Sequence, residues 1–291
     1  MYEAKHNEKG TLYEKGGKVI ELNEESYMDN EQTQRNRDDL TKLIEDGLVR
    51  FRFQPIVDLK TCDIYGYEAL MTPQVEGFTT PGEVIGAARS MSMLGPLESM
   101  LVMKTIQTAY DDREQIGERK IFVNSIPGQR LSDDDWDIVR RDYGSVLRNI
   151  IIEVTEAEND DLEAMLVKLR RIRRMGLQVA IDDFGQGYSN EVRIIAMQPA
   201  LIKIDLELIR NLHADPMKQA LVRDLVTFAH SQDVKVVAEG VELEMELDTV
   251  AQFGIDYAQG FLLGRPNFEF QELTDAMKEK LETLQHLEDD E

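Results

Sequence analysis

Two adjacent aspartates, Asp182 and Asp183, follow the apolar run Val179–Ile181 and precede Gly185 and Gly187. Neighbouring residues of a strand point to opposite faces, so both carboxylates can serve one site only where the strand is ending and the backbone turns. The glycines supply that freedom. Unpaired buried carboxylates are costly, and a bound cation resolves the conflict. The alternative has Asp182 capping a helix and Asp183 in solvent. Further polar residues sit in or at the ends of other strand-like stretches: Glu68 in 64–71, Asn124 in 120–125, Glu153 in 149–155, Lys203 and Asp205 in 201–205, Glu239 in 234–239 and Gln259 in 256–262. Nearly all offer oxygen and none is His or Cys, which favours Mg²⁺ or Mn²⁺ over zinc. Hard cations held by acids, with a lysine among them, suit phosphodiester hydrolysis by activated water. Two ions would stabilise both the entering and the leaving oxygen. The four histidines lie outside these stretches, and His230 reads as structural. No Ser/His/Asp grouping or glycine-rich phosphate loop is evident.

The elements that must bring these residues together follow from the patterning. Strands are expected at 50–59 and 64–71, separated only by 60–63, which is too short for a parallel crossover and requires an antiparallel hairpin. Helices at 81–92 and 95–111 then lead to strand 120–125, and 133–147 to 149–155. Helix 160–175 precedes 178–183, 189–197 precedes 201–205, 215–231 precedes 234–239, and 241–253 precedes 256–262. Eight strands, the last six each reached through helix, predict an α/β fold: a TIM-like (β/α)8 barrel with an antiparallel first strand, its chemistry at the carboxyl ends of the strands. Around it the expected division is a polar tail at 1–29 with a possible hairpin at Gly16 and Gly17, a linking helix at 30–48, the barrel at 49–275, and an acidic helix and tail at 276–291.

The 33 Lys and Arg against 56 Asp and Glu give a net charge of −23, which opposes nonspecific binding to nucleic acid or anionic membrane. An anionic small substrate would need local cations, and carboxylate-held divalent metals are the obvious supply. One cysteine, Cys62, excludes an intrachain disulfide or a cysteine-rich metal site. No signal-peptide pattern or spanning apolar run occurs, so a soluble cytoplasmic chain without direct membrane insertion is expected.

Eight stretches in unbroken order, over about residues 40 to 275, carry a resemblance: FQPIVDLK from Phe53, YEAL from Tyr67, VNS from Val123, EVTE from Glu153, IDDFGQGYSN from Ile181, KID from Lys203, VVAEGVE from Val236 and QGFLLGRP from Gln259. They resemble the EAL domain of cyclic di-GMP phosphodiesterases. The resemblance implies a barrel with a reversed first strand and hydrolysis of cyclic di-GMP to linear pGpG. It implies that Glu68, Asn124, Glu153, Asp182, Asp183 and Asp205 bind metal. Lys203 would position or help deprotonate the attacking water. Asp183 and Glu239 would join the catalytic group, and Leu70, Gln259 and Arg265 would contact substrate. Glu156 matches the acid that steadies the loop 185–190, a loop placed by the resemblance at a homodimer interface. Met1 to Tyr13 resembles the closing part of a GGDEF domain, which implies an upstream GGDEF or sensor domain in a longer protein. Three positions depart from the family pattern: Thr72 stands where an arginine is usual, Gln186 replaces a small loop residue, and Cys62 replaces a turn glycine. Thr72 and Gln186 keep open a receptor that binds cyclic di-GMP without hydrolysing it. A scaffold that has lost nucleotide binding would show scattered losses among the strand-end acids, and none is seen.

Overall fold

The computed structural model describes residues 5–7, 10–15, 18–21, 24–155, 162–185 and 191–288, with side chains described over 33–155, 163–185 and 194–285. The chain divides into two compact units, residues 1–49 with 73–93, and residues 50–72 with 94–291.

In the first unit, strands β1 (Lys5–Asn7), β2 (Gly10–Lys15) and β3 (Lys18–Glu21) form an antiparallel sheet in that order. The β2–β3 pairing, with Lys15 opposite Lys18, is the hairpin that the Gly16–Gly17 pair predicts. The helix Glu24–Glu45 begins earlier than the expected residue 30 and turns Leu40 and Leu43 inward on one face. The helix Pro81–Ser90 starts at a capping box, in which Thr80 accepts from the Glu83 N–H and Glu83 accepts from the Thr80 N–H.

The second unit is a closed eight-stranded barrel. Its strands are β4 (Val49–Asp58), β5 (Asp63–Pro73), β6 (Lys120–Ser125), β7 (Ile150–Thr155), β8 (Gln178–Phe184), β9 (Leu201–Ile204), β10 (Lys235–Ala238) and β11 (Tyr257–Gln259), in sequence order around the ring. β5 to β11 run parallel, and β4 meets β11 antiparallel, Gln259 opposite Ile56. The reversed first strand is therefore present, and its cause is the short turn after β4. There the Asp58 carboxylate accepts the N–H groups of Lys60 and Thr61, at 2.8 and 2.9 Å. Cys62 follows in the left-handed region at φ 55, which explains why glycine suits that position. At the opposite end of the barrel from its mouth, Asp256 takes His230 Nε2 at 2.8 Å and Lys235 Nζ at 2.7 Å, the structural role expected of His230.

Two expectations need correction. The helix from Asp133 stops at Tyr143 and becomes a 3₁₀ turn over Gly144–Asn149. The last strand covers only Tyr257–Gln259, because Gly260 packs against the Val241 backbone with no room for a Cβ and the chain turns there, Gly264 N–H returning to the Gly260 carbonyl at 3.0 Å.

The barrel core is a ring of buried side chains: Ile56, Phe122, Ile151, Ala180, Leu201, Val237 and Tyr257. On the six parallel strands among these, the residue two further on is Asn124, Glu153, Asp182, Lys203, Glu239 or Gln259. Because side chains two apart share a strand face, the apolar layer fixes a polar layer directly above it, at the carboxyl mouth.

Candidate active site

Lys203 sits at the centre of that polar layer and is wholly buried. Its Nζ lies 2.6 Å from Glu153 Oε1, 2.7 Å from Glu239 Oε1, 3.0 Å from Asp182 Oδ1 and 3.3 Å from Glu68 Oε2. One ammonium thus faces four carboxylates supplied by four different strands or strand ends. Burial alone would lower the Lys203 pKa, but Asp182, Glu153, Glu239 and Glu68 overcome it and raise the value well above the usual lysine range.

The acids respond unequally. Burial pushes the Glu153 carboxyl well above the usual range, with Glu68 adding to the rise and Lys203 opposing it. Burial likewise lifts Glu239 to about 8 against the pull of Lys203. Half-buried Asp183 rises to about 6 through burial, then through Asp182 and Asp205. Glu68 goes the other way: burial disfavours its charge, but Lys203 and hydrogen bonds from Asn124 (2.9 Å) and Gln259 (2.7 Å) hold it below its usual value.

The Asp182–Asp183 pair converges through a device that differs in detail from the expected one. Asp183 itself adopts φ 54, and the pairing of β8 with β9 slips between Ile181 and Phe184. A left-handed non-glycine residue costs about 1–2 kcal/mol, with aspartate among the more tolerant. Gly185, at φ 115, continues the turn, while Gly187 lies outside the described residues. The result places one oxygen from each of Asp182, Asp183 and Glu239 within 4.8 Å of one another, a group able to hold a metal ion.

The donor set fits such an ion. Glu153 Oε2 and Gln259 Oε1 are buried without a hydrogen-bond partner among the described residues. Glu153 Oε1 and Asp182 Oδ1 meet Lys203 as ion-pair contacts rather than directed hydrogen bonds. A single lysine leaves a buried excess of negative charge, and cations would balance it.

Of the other residues singled out in the sequence, Asn124 donates its amide to Glu68 Oε1, which leaves the amide oxygen as the atom to offer a cation. Leu70 is half-buried on β5, two residues beyond Glu68 and on the same strand face, with Thr72 two further on. Asp205 is buried and caps the short helix Leu206–Ile209, its Oδ1 accepting the Glu207 N–H at 2.8 Å. Arg265 is exposed and stacks over the Phe261 ring at 4.2 Å. Glu156 and the loop residues Gln186–Asn190 lie outside the described residues, and so does the dimer contact expected of that loop.

Sequence reasoning missed Gln54. Its Oε1 accepts from Gln259 Nε2 at 3.1 Å, and its Nε2 donates to the Gly264 carbonyl at 3.2 Å, so it steadies the amide that holds Glu68. The signal was the reversed strand: on β4 the mouth-facing residue comes two positions before core residue Ile56 instead of two after it. Also missed was a buried cluster behind β6, where Lys168 Nζ lies 3.2 Å from Glu98 Oε1 and 2.5 Å from Ser125 Oγ, and Glu98 Oε2 accepts the Ile126 N–H at 2.7 Å. A lone Glu98 and a lone Lys168, each within an otherwise apolar helix stripe, were the available signs.

The EAL-domain family model matches residues 37–266. Cyclic di-GMP phosphodiesterase PdeR of Escherichia coli is 28% identical over 236 residues, covering 78% of this chain and 35% of that protein. The bifunctional diguanylate cyclase/cyclic di-GMP phosphodiesterase MucR of Pseudomonas aeruginosa is 30% identical over 241 residues, 78% of this chain and 34% of that protein. The chain therefore spans about a third of the length of these relatives. Among solved structures, the manganese/cyclic di-GMP complex of Klebsiella pneumoniae BlrP1 at pH 9.0 is 28% identical with a TM-score of 0.69, covering 78% of this chain and 58% of that one. With the reversed first strand, the ring of strand-end acids and a family match over most of its length, this chain belongs to the EAL-domain family.

Proposed function

We propose that this chain is a metal-dependent phosphodiesterase that opens cyclic di-GMP to linear pGpG. The observation that carries the reading is the single mouth at which Glu68, Glu153, Asp182 and Glu239 surround Lys203. Glu68, Asn124, Glu153, Asp182, Asp183 and Asp205 are the residues that would hold Mg²⁺ or Mn²⁺, two ions in this reading. When bound, these ions supply Lewis acidity to water and to the phosphate oxygens. Lys203, kept protonated by four carboxylates, acts as a hydrogen-bond donor that orients the attacking water rather than as the base that deprotonates it. Glu239 and Asp183, whose carboxyls are raised to about 8 and about 6, are better placed to accept its proton. Gln54 and Gln259 fix Glu68, while Leu70 and Arg265 contact the nucleotide.

The relatives' greater length and the GGDEF-like character of Met1 to Tyr13 support a place in a longer protein with an upstream GGDEF or sensor domain. A cytoplasmic homodimer completes the reading. Among the described residues no helix is long and apolar enough to cross a membrane.

The test is chromatography of cyclic di-GMP incubated with the protein and Mn²⁺. Accumulating pGpG that disappears in Glu68→Ala supports the enzyme. Tight binding with intact nucleotide after long incubation selects instead the binding-only receptor, the reading that Thr72 favours.

A further inference from the structure

Away from the mouth, the helix Leu162–Arg174 carries Val167, Arg170, Arg171 and Arg174 at spacings that share one face. That face lines a cavity of about 600 Å³ whose facing wall includes Arg130, Asp133 and Trp136. Among the described residues that line it, four guanidiniums thus meet one carboxylate, in a chain whose net charge is −23. Asp133 is taken by Arg171 at 2.7 Å. Arg130, Arg170 and Arg174 make no ion pair among the described residues, and Arg171 Nε is buried without a hydrogen-bond partner. The helix dipole accounts for cations in the last turn. It does not account for Arg130, which faces them from a different element, where like charges repel.

We propose that this cavity is a second ligand site, separate from the barrel mouth, for a small phosphorylated anion carrying two or more negative charges. Guanidinium forks match phosphate oxygens in pairs, and the volume lies in the range of small-molecule sites. The overall negative charge disfavours nucleic acid or an anionic membrane as the occupant, whereas a small anion can enter the cavity itself. Neither the phosphodiesterase reading nor its metals are required for this site.

Trp136 is the chain's single tryptophan, so its fluorescence reports on the cavity. Inorganic pyrophosphate would be titrated into the full chain in EDTA, with ionic strength held constant by chloride, and binding measured in parallel by equilibrium dialysis. GMP and pGpG form two further arms. Saturable binding of pyrophosphate, weakened roughly 10-fold or more in Arg130→Ala and in Arg170→Ala and lost in the double variant, is expected. Binding of GMP or pGpG alone, with the same sensitivity to the arginines, supports the site and assigns it to nucleotides. The proposal is overturned if no arm binds saturably in dialysis, or if binding persists unchanged in the double variant. Both arginines are exposed, so the variants should fold as the parent does.

Discussion

Replacing Lys203 with methionine removes the only cation within contact of Glu68, Glu153, Asp182 and Glu239 among the described residues, all of which lie within 3.3 Å of its Nζ. Removing one partner of a buried ion pair costs about 3–5 kcal/mol. In a domain of this size each kcal/mol lowers Tm by roughly 2–4 °C, so metal-free Lys203→Met should melt about 6–20 °C below the parent. The pH dependence follows from the signs. The raised pKa of Lys203 means that its contribution is fully present at any pH below about 10. In the variant Glu153 and Glu239, already raised, lose the opposing pull of Lys203 and shift further upward, so the folded state takes up protons that the unfolded state does not, and the deficit shrinks as pH falls. Calorimetry in EDTA at pH 8 and pH 5, then at pH 8 with Mn²⁺, measures each part. The deficit should be largest at pH 8, smaller at pH 5, and partly recovered with Mn²⁺. A loss under about 2 °C in EDTA, or one that does not change with pH, would refute the idea that lysine is the counter-ion of this cluster.

Three other outcomes follow from the same geometry. Because the Asp183 carboxyl is raised to about 6 and that of Glu239 to about 8, and a cation at this mouth favours the ionised form of both, Mn²⁺ affinity measured calorimetrically should rise from pH 6 to pH 8, by about 10-fold per unit for each proton released; a flat profile counts against a cation beside these two carboxyls. Lys168→Met should destabilise the protein by about 3–5 kcal/mol in urea denaturation by stranding Glu98, and pairing it with Glu98→Leu should recover a good part, whereas simple additivity would show that the two are not coupled. Thr72→Arg should lower KM for cyclic di-GMP roughly 10- to 150-fold by adding a charge-assisted phosphate contact, and an unchanged KM would mean that this strand end does not reach the phosphate.

The sequence made the barrel legible because its strands end in chemistry: runs such as Ile150–Thr155 and Leu201–Ile204 stop within a residue or two of an acid or lysine, so pattern and function marked the same boundary. The reversed β4 was equally legible, since four intervening residues admit no crossover. Its consequence for Gln54 was harder to see, because mouth-facing positions on that strand precede the core residue instead of following it. The sequence places a turn at Asp182–Asp183 but points to the glycines alone as its source; the left-handed φ of Asp183 depends on the slip against β9, a tertiary event that local propensity does not encode. Glu98 and Lys168, 70 positions apart, meet only after two helices pack on the barrel. Lys203 was recognised as a site residue, yet its place among four carboxylates follows from barrel closure, which no single motif contains.

In the proposed reading, oxygen donors from separate strand ends form one divalent-cation site. Electron paramagnetic resonance of Mn²⁺ tests it most directly, because free ion gives a sharp six-line signal that fades on uptake. Titrated against the protein at pH 8, the parent chain should deplete that signal saturably, and a variant carrying Glu153→Gln and Asp182→Asn should leave it nearly intact. An undiminished signal from the parent, or equal depletion by both proteins, would contradict the account.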